Sequence, residues 1–68
     1  MTIENAKAVL EGHLKMARNL KDEYYALKEK AYAEGDQTTY QTAKGMYDFY
    51  KGKESAYEND LGLLNEIG

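Results

Sequence analysis

The chain has no cysteine, no proline and no tryptophan, and it has a single histidine and a single serine. Without cysteine there is neither a disulfide framework nor a thiolate-ligated zinc, and one histidine is too few for a histidine-rich metal site within one chain. Without proline the strongest helix breaker is missing. Ser55 reads as a helix cap rather than a nucleophile, and no glycine-rich phosphate loop occurs. No apolar run approaches the roughly 20 residues of a membrane span. The start, Met1-Thr2-Ile3-Glu4, lacks the basic and apolar regions of a signal peptide, so the sequence reads as cytoplasmic. A charge of one sign is missing too: 9 Lys and Arg against 12 Asp and Glu leave a net −3, too mild to point to nucleic acid. These absences imply no cofactor, no metal and no catalytic constellation, and the chain reads as non-enzymatic.

What is present favours helix. Ala, Leu, Glu, Lys and Met are plentiful, and 68 residues leave room for one core, so residues 1–68 form a single helical domain. Ile3, Ala6, Leu10, His13, Ala17, Leu20, Tyr24, Leu27 and Ala31 alternate spacings of three and four, which predicts a seam along one helix over about 3–34. Thr2 is a fitting N-cap. Gly35 suits the left-handed end of that helix and Asp36 the cap of the next, so 35–36 is the turn. The second half repeats the alternation at Tyr40, Ala43, Tyr47, Tyr50, Glu54, Tyr57, Leu61 and Leu64, predicting a helix over about 37–67. Folding back about the turn opposes residues whose numbers add to about 71, among them Ala31 with Tyr40, Ala17 with Glu54 and His13 with Tyr57. Small residues then face large ones. The expected architecture is an all-α antiparallel two-helix hairpin. A rival three-helix form breaks at Gly52, where Ser55-Ala56-Tyr57-Glu58 fits a capping box; the seven-residue step from Tyr50 to Tyr57 keeps the seam in phase across that point.

Three features bear on function. Gly45, Phe49, Gly52, Ala56 and Leu63 form a second seam on the far side of helix two, which predicts close approach of another helix, either a second copy or a foreign partner. Seven tyrosines are an excess; those in the seams fill the core, whereas Tyr25 and Tyr32, seven apart beside the first seam, are candidate exposed anchors. Charge is uneven, because residues 36–68 hold 3 bases against 6 acids, and Glu58 and Asp60 mark an acidic end of helix two suited to a basic partner. His13 and Glu54 lie near one another in the expected middle layers and read as a polar layer fixing register.

A chain below about 70 to 80 residues with one thin core usually needs association, so the hairpin is expected to form a homodimer, a four-helix bundle. In hairpin length and turn position it resembles the ROP family of RNA-binding regulators, which are dimers of helical hairpins; the likeness is one of architecture. The sequence therefore reads as a small regulatory protein, an adaptor or inhibitor that binds another protein through Phe49, Gly45, Gly52, Ala56, Tyr25, Tyr32, Glu58 and Asp60. The alternative it carries is a dimeric RNA-binding regulator using the basic residues of helix one, Arg18 and Lys21.

Overall fold

A computed structural model describes residues 2–67. Helix α1 (Ile3–Glu34) and helix α2 (Gln37–Ile67) pack against each other as a hairpin, a rod of 49 × 14 × 14 Å. Each end of α1 is closed by its own residues. The Thr2 hydroxyl accepts from the backbone N–H of Asn5 at 3.0 Å, which satisfies one of the orphan donors of the first turn. At the other end Gly35 takes φ 73°, and the N–H groups of Gly35 and Asp36 donate to the carbonyls of Tyr32 and Ala31. That pair of bonds is a Schellman cap, and its left-handed residue favours glycine because glycine has no Cβ to clash. Asp36 then starts α2, accepting from Thr39 N–H on its carboxylate at 3.1 Å. Two helix ends thus meet within two residues, and the chain must reverse.

Helix α2 runs through Gly52 without interruption, so the three-helix alternative with a break near Gly52 is set aside. One unbroken seam faces α1: Ala43 is fully buried, and Tyr40, Tyr47, Tyr50, Glu54, Tyr57, Leu61 and Leu64 are half-buried. The register is close to the expected one, as Tyr32 with Tyr40, Tyr25 with Tyr47, and His13 with Tyr57 show.

The inner face of α1 differs from expectation. Every seventh residue, Leu10, Ala17, Tyr24 and Ala31, faces inward as predicted, and so in part does Leu20, half-buried beside half-buried Lys21, but at two places the face takes the position one later. Leu14 is buried where His13 is exposed, and half-buried Lys28 replaces exposed Leu27. Both choices alternate three and four, so spacing cannot separate them. Lysine can hold such a half-buried place because its ammonium group finds a partner there, Glu54 for Lys21 and the Tyr25 and Tyr47 rings for Lys28. Among the described apolar residues only Leu14, Ala17, Ala31 and Ala43 are buried, and three of the four are alanine. The core is a thin strip between two closely spaced helices. No helix of the described residues is long and apolar enough to cross a membrane.

Candidate interaction surface

The two flanks of the rod have different chemistry. One flank is stitched by charges and rings. The Arg18 Nε donates to Glu54 Oε2 at 3.0 Å and Lys21 Nζ to Glu54 Oε1 at 3.0 Å, and Arg18 Nη2 stands 3.6 Å from Glu58 Oε1. The Lys21 hydrogen bond, with Arg18 beside it, holds the Glu54 carboxyl below its ordinary range, and the same hydrogen bond holds the Lys21 ammonium above its own. Towards the turn, Tyr25 meets Tyr47 at 5.6 Å between ring centres and Tyr32 meets Tyr40 at 5.8 Å. Lys28 Nζ sits 4.8 Å from the Tyr25 ring and 5.7 Å from that of Tyr47, a cation held over two faces. Its hydrogen bond to Glu29 keeps that ammonium above its usual value.

The other flank is apolar. On α1, Val9 and Met16 share one stripe, seven residues apart, and Leu20 and Leu27 share the stripe beside it. On α2, Phe49, Ala56 and Leu63 recur every seven residues next to the stripe of Met46 and Lys53. Met16 is 60% exposed, Phe49 52% and Leu63 59%, in a chain whose core residues are mostly alanine. Rings knit this side together as well: His13 stacks on Tyr57 at 5.5 Å, Tyr24 on Tyr50 at 5.9 Å, and Phe49 meets the edge of Tyr50 at 5.1 Å with Lys53 Nζ 5.3 Å from its face. Between the helices His13, Met16, Ala17, Tyr50, Lys53 and Tyr57 line an open groove of about 80 Å³. No ion pair among the described residues lies on this flank.

The residues singled out from sequence therefore do not form one patch. Phe49 and Ala56 lie on the apolar flank, with Asp60 at its edge on the stripe of Met46 and Lys53. Gly45 and Gly52 are exposed one stripe further round, and a Cβ at either meets nothing within 4 Å, so neither glycine is required by packing inside the hairpin. Tyr25, Tyr32 and Glu58 stand on the charged flank. His13 and Glu54 also part company: His13 turns to the apolar flank, whereas Glu54 serves Arg18 and Lys21 on the other. Arg18 and Lys21, on which an RNA-binding reading relies, both engage Glu54. Sequence reasoning passed over Val9 and Met16 and placed Leu27 in the core; the available signal was that Val9, Met16, Leu20 and Leu27 repeat in step along α1.

Among the described residues no three His, Asp or Glu side chains come together as a metal site. No known protein family matches the chain, and no curated protein or solved structure shows a significant similarity to it.

Proposed function

We propose that the chain is a non-enzymatic protein-interaction module, a small adaptor or inhibitor that works as a homodimeric four-helix bundle and binds a second protein through its exposed aromatic surface. The observation that carries this reading is the segregation of the rod into an apolar flank and a flank of paired charges and tyrosines. A helix buried against one partner needs one apolar face, and both helices here carry apolar side chains beyond that need. The tyrosines of the charged flank are the natural anchors for a foreign protein. Tyr32 is 73% exposed at the end of its stripe, and a ring with two rotatable bonds contributes contact area at little entropic cost. Glu58 and Asp60 add negative charge near the open end that steers a basic partner.

Photo-crosslinking tests this. A benzoylphenylalanine placed at Phe49, at Tyr32 or at Asp22 is irradiated in cells that make the chain. Asp22 lies on the outward side of α1. Covalent adducts with another protein are expected from Phe49 or Tyr32 and not from Asp22. Lack of such adducts at both positions overturns the reading.

A further inference from the structure

We infer that the apolar flank, with Val9, Met16, Leu20, Leu27, Phe49 and Leu63, is the face covered by a second copy of this chain, which leaves the tyrosine flank free for other partners. This deepens the proposed function and rests on that reading. The first argument is area. The hairpin exposes 4923 Å², whereas a compact monomer of 7.7 kDa exposes about 4,300 Å². The excess of about 600 Å² is close to the roughly 800 Å² that each partner buries in a standard interface. The excess follows from shape, because a rod 14 Å thick has almost no interior. Packing a second rod along its side supplies one.

The second argument concerns charge. In a two-fold dimer the same patch meets itself, so a patch of one sign repels its own copy. The stripes of this flank carry Glu23 and Lys30 beyond Met16, Glu34 beyond Leu27, and Lys53 and Asp60 beyond Met46, three acids and two bases with Lys53 at the groove. Self-apposition therefore brings both signs together rather than a patch of one sign. The third is shape: the groove at the centre of the flank has Met16, Ala17, Tyr50 and Tyr57 in its wall with His13 and Lys53 beside them, and a side chain from a facing helix fits such a hole in a bundle. With no disulfide and no metal cluster among the described residues to staple the fold, association is the remaining route to a larger core.

Sedimentation velocity of the purified full chain, from micromolar to millimolar concentration, tests the inference alongside Met16→Lys, Phe49→Lys and Tyr32→Lys. The wild type should sediment at twice its chain mass. Met16→Lys and Phe49→Lys should return it to the monomer with helical circular dichroism retained, and Tyr32→Lys should leave the dimer intact. Should a lysine variant lose its helices, Val9→Ala with Leu63→Ala makes the same test without adding charge, raising the dissociation constant at least about tenfold. A wild type that is monomeric throughout, or a dimer indifferent to the apolar-flank substitutions, overturns the inference. Foreign adducts from Phe49 together with a monomeric wild type would leave the interaction module standing and remove only the second copy; a dimer without foreign adducts would do the reverse.

Discussion

Leu14 is the largest of the four buried apolar residues, and its neighbour His13 sits at the rim against Tyr57. Truncating Leu14 to alanine in a strip otherwise made of alanines leaves a gap that the helices can close only in part. We expect a loss of about 2–3 kcal/mol in urea unfolding. His13→Ala gives up one exposed ring stack and should cost under about 1 kcal/mol. Equal losses at the two positions would mean that α1 turns the other way. This is also where legibility in sequence ends. The heptad-spaced residues Leu10, Ala17, Tyr24 and Ala31 belong to either alternation, and hydropathy favours His13, Leu20 and Leu27 over a series containing Lys21 and Lys28. Lys28 displaces Leu27 and Lys21 shares the face with half-buried Leu20 because Glu54 and the rings of Tyr25 and Tyr47 receive the lysine ends, a tertiary fact that hydropathy does not encode.

At the scale of the helices, the ends are the most legible part, because Thr2, Gly35 and Asp36 each act through atoms close to themselves in sequence. Gly35→Ala places a Cβ on a left-handed residue, and although that Cβ meets open space, the conformation itself should cost about 1–2 kcal/mol. Gly35→Asn should recover part of the loss, as thermal unfolding would show. The course of α2 was less plain, since Gly52 and the Ser55 box are also local signals. They yield because a break there would give up the continuous packing of Tyr50, Glu54 and Tyr57 on α1. Acid acts at this scale too. The Thr39 hydrogen bonds hold the Asp36 carboxyl below its ordinary range, and Lys21 with Arg18 does the same for Glu54. Carboxylates lowered in the folded state stabilise it above their unfolded pKa, and that contribution is lost as pH falls through the folded value. Thermal midpoints should therefore hold at neutral pH and decline below about pH 4. For Lys21, raised by Glu54, the sign reverses: its contribution lasts until pH rises through the elevated value, above the ordinary lysine range. A midpoint that is flat through acid would show that neither carboxylate is linked to folding.

For the whole molecule, the division into unlike flanks was the least legible property. Phe49 and Tyr32 look alike in the sequence as exposed aromatics, and only the rotation of one helix against the other sends them to opposite sides. The antiparallel layout has a kinetic consequence as well. Tyr32 and Tyr40 meet across the capped turn after closing a very short loop, while His13 and Tyr57 must bring together most of the chain. Because loop-closure entropy grows with the enclosed length, the hairpin should zip from Gly35 towards its free ends and unzip from them. Amide exchange at low protein concentration should then be slowest around Ala31 and Ala43 and quicken steadily towards Ile3 and Ile67. Uniform protection along both helices would mark a single all-or-none opening instead. Since Val9 and Leu63 lie near that free end, a second rod clamped there would act as a latch on the zipper, and exchange at the ends would slow as concentration rises.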